Sequence, residues 1–337
     1  MGRHDGKRMK PGAPRTDLRE PTRRSALAAI AAAGGMMLTS PFAPHAGKAE
    51  AAPEAAFSEI APGLFLRRGE QAEMDGENHG AIANIGFIVG QTSVAVIDTG
   101  ATTRQGQALR EAVQATGKPI SHVIATHVHP DHCFGHGAFA EGFAAGTIAN
   151  VGHHRLPRAL AERGAYYLER LAAIAPEGSE ARFIAPSMLV QETMTIDLGN
   201  RALRLTAWPA AHTDNDLTIH DLKTDTLWAS DLVFNGRIPV LDGSLTGWLA
   251  ALRALVELAP ASLVPGHGEV GPPGPMLQRQ RAYLEALASG VREAIAQGLT
   301  IDETVTRLAD LGRRDWLLFD GSHGRNIVTA YTELEWE

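Results

Sequence analysis

Apolar residues come in short blocks through the middle of the chain and at helical spacing towards its end. Ile85-Gly86-Phe87-Ile88-Val89 and Val94-Ala95-Val96-Ile97-Asp98 are β-rich runs joined by Gly90-Gln91-Thr92, a pattern that predicts a hairpin. Residues 104–116 predict an amphipathic helix with Leu109, Ala112 and Val113 on one face. A strand from Ile120 to Ala125 follows, then a helix over 155–175 carrying Leu160, Tyr167, Leu168 and Leu171 at helical spacing. A less regular stretch, 176–190, precedes strands at 193–198, 202–208, 217–222 and 226–230, the last ending at Asp231. A helix over 246–258 leads to a short strand at Leu263-Val264-Pro265, which opens into Gly266-His267-Gly268. Beyond residue 274 the spacing is helical, with segments at 275–297, 301–311 and 326–335. Two β-rich halves with helices interposed predict an α/β fold, a four-layered αββα sandwich with functional residues along one edge. The C-terminal helices read as an extension closing the same domain, with a roof over the site or a dimer surface as the alternative.

Composition adds a boundary at each end. The chain has 337 residues and 44% hydrophobic content, enough for one large domain. Residues 1–51 hold nine of the 31 Lys/Arg and four of the 38 Asp/Glu. Their Thr22-Arg23-Arg24-Ser25-Ala26-Leu27, followed by a mildly apolar run to Leu38, resembles a twin-arginine export signal, with Ala49-Glu50-Ala51 suited to cleavage. The expected organisation is therefore a signal over 1–51, a main domain over 52–273 and a helical extension over 274–337, with the mature protein periplasmic. What remains after cleavage carries 22 basic and 34 acidic residues, a balance that argues against nucleic acid as partner. Cys133 is the only cysteine, so no internal disulfide forms.

The chemistry concentrates in Thr126-His127-Val128-His129-Pro130-Asp131-His132, directly after the strand that ends at Ala125. Imidazole and carboxylate are donors for Zn, Fe or Mn. His127 and His129 are two apart, so in extended backbone they point the same way and can share one ion. Pro130 bends the chain, which lets Asp131 and His132 face a second ion. Further His and Asp residues lie at strand ends downstream: His212 after Leu203–Trp208, Asp231 after Leu227-Trp228-Ala229-Ser230, and His267 between two glycines.

In this order the set resembles the metallo-β-lactamase superfamily, whose pattern reads H-x-H-x-D-H, then His, Asp and His; the resemblance covers roughly residues 57–270. It implies the superfamily's αββα sandwich. It also implies that His127, His129 and His212 hold one metal, that Asp131, His132 and His267 hold a second, and that Asp231 bridges them. The implied cofactor is two Zn2+, with Fe or Mn possible, sharing a hydroxide. Departures narrow the branch. The diiron oxidoreductases carry Glu where this chain has His129, and the usual β-lactamases have Cys or Ser where it has Asp231. The full set looks more like glyoxalase II and metal-dependent lactonases, which cleave thioesters and esters. The phrases Ile82-Ala83-Asn84-Ile85-Gly86-Phe87-Ile88-Val89 and Tyr331-Thr332-Glu333-Leu334-Glu335 are similar to periplasmic metallohydrolases found beside sulfur-oxidation systems and quinoprotein dehydrogenases.

The expected activity is hydrolysis of an ester, thioester or related acyl bond in an exported small molecule, with Asp131 as the catalytic proton shuttle. The alternatives are sulfur oxidation like that of the single-iron persulfide dioxygenases, β-lactam hydrolysis, and a non-catalytic relay to a quinoprotein. The resemblance further implies that Asp98 supports the histidine loop from behind; Asp216 is a candidate to brace the His212 loop. Cys133 reads as a small buried residue. His136 is a candidate supporting group, and His153 and His154 read as surface residues. His79 and His323, in glycine-flanked segments, could reach the rim. Substrate choice is expected to lie with loops 75–84, 176–190 and 235–245, and Trp208, Phe234 and Trp248 read as core residues before cavity wall.

Overall fold

Strand pairing divides the β-rich sequence into two sheets. In the computed structural model, which describes residues 56–175 and 180–337, a seven-stranded sheet runs in chain order. It comprises β1 (Ser58–Ala61), β2 (Leu64–Arg67), β3 (Ile85–Val89), β4 (Val94–Ile97), β5 (Ile120–Ala125), β6 (Ala149–His153) and β7 (Met188–Val190). The first four are antiparallel, and β4 through β7 are parallel. A five-stranded sheet holds β8 (Thr193–Asp197), β9 (Ala202–Ala207), β10 (Leu217–Asp221), β11 (Thr226–Phe234) and β12 (Ser262–His267). Its β11–β12 pair is parallel and the others antiparallel. The export signal expected over 1–51 lies outside the described residues.

Alternation decides which side chains meet. Between the sheets, Leu64, Ile88, Ile97, Ile124 and Val151 of the first pack with Leu203, Leu205, Ile219, Trp228 and Val264 of the second. The opposite face of the first sheet offers Phe87, Val94, Val96 and Val123 to Leu109 and Val113 of α1 (Thr103–Gln114). That helix starts at Thr102, whose side chain accepts from Gln105 N. After β5 come two short helices, α2 (Pro130–Cys133) and α3 (Ala140–Ala144), and after β6 comes α4 (Leu156–Ala172). The outer face of the second sheet is covered by α5 (Leu245–Leu258), α6 (Pro273–Ala296) and α8 (Phe319–Leu334), with α7 (Ile301–Leu308) between the last two. Leu227, Ala229 and Leu263 of that sheet share one buried cluster with Leu252, Leu284 and Ile327. The result is the αββα sandwich, and the C-terminal helices extend its outer helical layer. Among the described residues, no helix is long and apolar enough to cross a membrane.

Four local expectations change. β11 does not end at Asp231 but runs on to Phe234, with irregular register on either side of Ser230. β6 (Ala-Asn-Val-Gly-His) and β7 carry too little β signature to be read from sequence, and pairing with a neighbour already in place makes them strands. The last helix begins at Phe319, seven residues before its expected start, despite Gly321 and Gly324. His153 is buried on β6 rather than exposed, with Nε2 3.1 Å from the Trp208 carbonyl.

Candidate metal centre

The parallel strands deliver their C-terminal ends to one edge of the sandwich, and the titratable residues collect there. Beyond β5 the chain bends at His127 and Val128 rather than staying extended, and His129 (φ −66°, ψ 145°) enters α2, with Pro130 in its first turn, where a missing N–H is harmless. The turn of α2 presents His132 back towards His127, with ring centroids 4.3 Å apart, and Asp131 towards His267. From the other sheet, the bulge at Ser230 (φ 47°) aims Asp231 at the same point, and β12 ends on His267.

The nitrogens His127 Nε2, His129 Nδ1 and His212 Nε2 converge, with 3.1 Å between the first pair and 3.0 Å between the last. Together with Asp231 they form one group of four donors within 4.8 Å of one another; Asp131, His132 and His267 form a second. Asp231 joins the two. Its Oδ2 lies 3.4 Å from His212 Nε2, 3.8 Å from His127 Nε2 and 3.4 Å from His267 Nε2, and its Oδ1 lies 3.1 Å from His132 Nε2. Asp131 Oδ2 is 3.5 Å from His267 Nε2 and 3.6 Å from His132 Nε2.

Each imidazole has its other nitrogen committed to a neighbour. His127 Nδ1 is 3.0 Å from the Thr126 hydroxyl, which itself donates to Asp98. His129 Nε2 donates to Asp242 Oδ2 at 3.0 Å and His132 Nδ1 to Asp98 Oδ2 at 2.8 Å. His212 Nδ1 donates to the Val240 carbonyl at 2.6 Å, and His267 Nδ1 to the Ile82 carbonyl at 2.8 Å. With the outer N–H groups so placed, the inner nitrogens turn lone pairs toward one another, an arrangement that is repulsive unless a cation lies among them. The orphaned atoms agree: His132 Nε2 and Asp231 Oδ1 are buried and without a hydrogen-bond partner. The donor set therefore fits two cations of the kind that take N and O ligands.

Electrostatics fit the same reading at His127 and His212, whereas at His132 burial is outweighed by the carboxylates of Asp231, Asp131 and Asp98, which hold the ring well above the usual histidine range. Burial holds His127 well below the usual histidine range and His212 down to about 4, so both are neutral at pH 7, as a ligating imidazole must be. Burial alone would raise Asp231, but His267 and His132 outweigh it and hold the carboxyl well below its ordinary range. Burial raises the Asp242 carboxyl, but the bond from His129, with the charges of His129 and Arg163, overcomes this and brings the group to about 2. The Arg163 guanidinium, from α4, pairs with the same Asp242 oxygen.

A cavity of about 940 Å³ opens over the centre. Asp131, Asp231, His129, His212 and His267 form its floor. Phe234 lines it and stacks on His267 with ring centroids 5.3 Å apart; Trp248 lies buried against His212 at 5.4 Å. Trp208 is half-buried and donates to Thr218. The rim departs from expectation. Loops 75–84 and 235–245 contribute through Ile82, Arg237, Val240, Leu241 and Asp242. No described residue of 176–190 does, and Tyr166, Tyr167 and Arg170 of α4 with Arg325 of α8 take that place.

All seven residues singled out from sequence meet at this edge. Asp98 is fully buried and holds Thr126 and His132, as expected; Asp216 accepts from the Thr213 N–H and hydroxyl, next to His212. Cys133 is buried, with its thiol pushed well up by burial. Three histidines lie elsewhere. His79 bonds the Ile174 carbonyl, His136 the Ile184 carbonyl, and His323, inside α8, lies between the Tyr283 hydroxyl and the Leu308 carbonyl. None of the three touches the centre: glycine flanks gave His79 and His323 as reaching the rim and His136 was expected to support the ligands, whereas each ring satisfies a backbone carbonyl. Asp242, Val240 and Ile82 escaped the sequence reading, because their role is to accept from a histidine distant in the chain.

Comparisons with known proteins place this geometry. The family model described as "Metallo-beta-lactamase superfamily" matches residues 80–267. No curated protein matches the chain. Among solved structures, it is similar to a stereoselective inverting sec-alkylsulfatase from Pseudomonas sp., with 18% identity and a TM-score of 0.67 over 83% of this chain. The chain spans only 50% of that enzyme's length. It is also similar to a metallo-beta-lactamase from Pontibacter korlensis, at 17% identity and TM-score 0.53, covering 68% of this chain and 98% of that one. The DIM-1 metallo-beta-lactamase gives 15% identity, TM-score 0.54, and coverage of 69% and 98%. At these identities the likeness is one of fold.

Proposed function

Because the chain belongs to the metallo-beta-lactamase superfamily, we propose that it is a binuclear hydrolase acting on an ester, thioester or related acyl bond of a small molecule. His127, His129 and His212 would hold one cation, Asp131, His132 and His267 the other, and Asp231 would join them. Zn2+ suits this donor set, and Fe or Mn could replace it. The observation that carries the reading is Asp231, which turns one carboxylate oxygen to His132 and the other to His127, His212 and His267. When bound, such a pair supplies a water ionised near neutral pH and Lewis acidity toward a substrate oxygen.

The chain's own groups do the rest. Asp131 lines the cavity and commits Oδ2 to the second cluster, which leaves Oδ1 to take a proton and return it to the leaving group. Phe234 and Trp248 close the wall behind the imidazoles and keep water out of it. The cavity is the size of a small-molecule site.

Elemental analysis of the purified protein with an ester, thioester and β-lactam panel tests this. Close to two metals per chain, both lost or halved with the activity in Asp231→Ala, is expected. Full hydrolysis by metal-free Asp231→Ala would end the reading, and one iron with oxygen uptake would favour sulfur oxidation instead. Export to the periplasm is supported by Arg23-Arg24 and the run after it. A mature protein that begins at Met1 and stays in the cytoplasm would count against it. Setting beside a quinoprotein or a sulfur-oxidation system rests on residues 82–89 and 331–335 and is open to co-purification.

A further inference from the structure

The segment from 235 to 244 carries two of the groups that orient the metal-centre histidines, yet it has almost no regular structure of its own. The Val240 carbonyl accepts from His212, and Asp242 accepts from His129. Irregular backbone at this depth must find its hydrogen bonds elsewhere. The Ile238, Asp242 and Ser244 N–H groups pair with the Leu317, His212 and Ala211 carbonyls, whereas Pro239 and Leu241 between them are served by one side chain of the C-terminal helix. Asn326, fully buried on α8, accepts from the Leu241 N–H at 2.9 Å and donates to the Pro239 carbonyl at 2.7 Å. Its amide thus brackets Val240 on both sides. The Tyr283 hydroxyl, from α6, accepts from the same amide nitrogen at 3.0 Å and fixes which way it faces. Two turns along α8, Glu333 accepts from Ser244 Oγ at 2.8 Å, the Leu245 N–H at 2.6 Å and the Thr246 hydroxyl at 2.6 Å.

We infer that Asn326 is a positioning residue for the metal centre. The C-terminal helix sets the register of the Pro239–Asp242 turn, and the turn sets the His212 and His129 rings. The inference rests on the ligand reading above. It assigns to α8 a task beyond filling the outer layer, because an apolar residue of similar size could fill that space but could not hold Pro239 and Leu241 at once.

Asn326→Ala separates the two roles, compared with Val291→Ala, a buried α6 substitution that removes no hydrogen bond to the segment. Metal affinity is read by chelator competition, coordination by the visible spectrum of the Co2+-loaded protein, and fold by circular dichroism and melting of the metal-free chain. Asn326→Ala is expected to weaken uptake of one ion about ten- to a hundredfold, the range seen when groups behind a ligand are lost, and to alter the Co2+ spectrum. Val291→Ala should melt earlier but keep the wild-type affinity and spectrum. If Asn326→Ala does not fold, Asn326→Asp, which keeps Oδ1 for the Leu241 N–H and loses the donor to Pro239, should show a smaller shift in the same direction. Wild-type affinity and spectrum in the Asn326 variant, or equal losses in both variants, would overturn the inference. A wild-type chain that binds no metal would overturn the ligand reading first, before any substitution is made.

Discussion

Gly266 lies directly under the carboxylate of Asp231. A Cβ on residue 266 would sit 1.7 Å from Asp231 Oδ1 and 2.8 Å from the Asp231 backbone nitrogen. The parallel pairing of β11 and β12 brings the two residues together. A residue next to His267 is thus glycine because a neighbouring strand needs the room for an acidic side chain. Gly266→Ala should displace Asp231, abolish uptake of both metals and destabilise the fold by about 1–3 kcal/mol, the usual cost of overpacking. Gly274→Ala, where a Cβ meets open space, should leave metal content unchanged. Normal metal content in Gly266→Ala would show that Asp231 is not a shared ligand.

Asp98 holds three groups with one buried carboxylate: the Thr126 N–H, the Thr126 hydroxyl and His132 Nδ1, at 2.8–2.9 Å. Its left-handed backbone (φ 55°), a conformation Asp tolerates better than most residues, turns the side chain toward the histidine loop. Asp98→Asn keeps the shape and removes the charge. Metal affinity should fall about ten- to a hundredfold while all seven donors remain. Titration against a competing chelator reads this, and an unchanged dissociation constant would remove Asp98 from the account.

Ligands that bind only the folded chain stabilise it by mass action, about 2.7 kcal/mol at a hundred times the dissociation constant. Urea unfolding with added Zn2+ and then with excess chelator should show the midpoint drop on metal removal. Coincident curves would mean that the converging nitrogens hold nothing.

Away from the centre, Arg201, just before β9, and Asp221, at the end of β10, form a buried ion pair, with contacts of 3.0 Å from Nε and 2.5 Å from Nη2. Arg201 also donates to the Pro62 and Val89 carbonyls, which ties the second sheet to the first. Removing one partner should cost about 3–5 kcal/mol because the other charge is stranded. Desolvation raises the Asp221 carboxyl, but the bonds from Arg201 and Thr224 prevail and hold it below its ordinary value. A carboxyl lowered on folding contributes stability that is complete above its unfolded value, about 3.9, and is lost as pH falls through the folded one. The stability advantage of wild type over Asp221→Asn should be constant from pH 7 to about 5 and shrink below 4. An advantage that grows on acidification would contradict the pairing.

How much was legible varies by element and has a physical cause. The β3–β4 hairpin, α1, β5, α4 and α5 stand within a few residues of where periodicity puts them, because each buries a regular face. β6 and the first turn of α8 carry no such face. Asn150 and Gly152 are admitted to a strand by pairing with β5, and the start of α8 is held by Phe319, which shares a buried cluster with Tyr283 and Leu284 of α6.

The sequence by itself determined the donors: three imidazoles and a carboxylate after β5, and His212, Asp231 and His267 downstream, since ligand chemistry resides in side-chain type and local spacing. Tertiary structure alone decided what stands behind them. Asp242, the Val240 and Ile82 carbonyls, Gly266 and Asn326 act on partners that lie between 28 and 185 positions away or across a strand pair. Hydrogen bonds and excluded volume of that range exist only once the two sheets and the C-terminal helices have closed, so no window of sequence contains them.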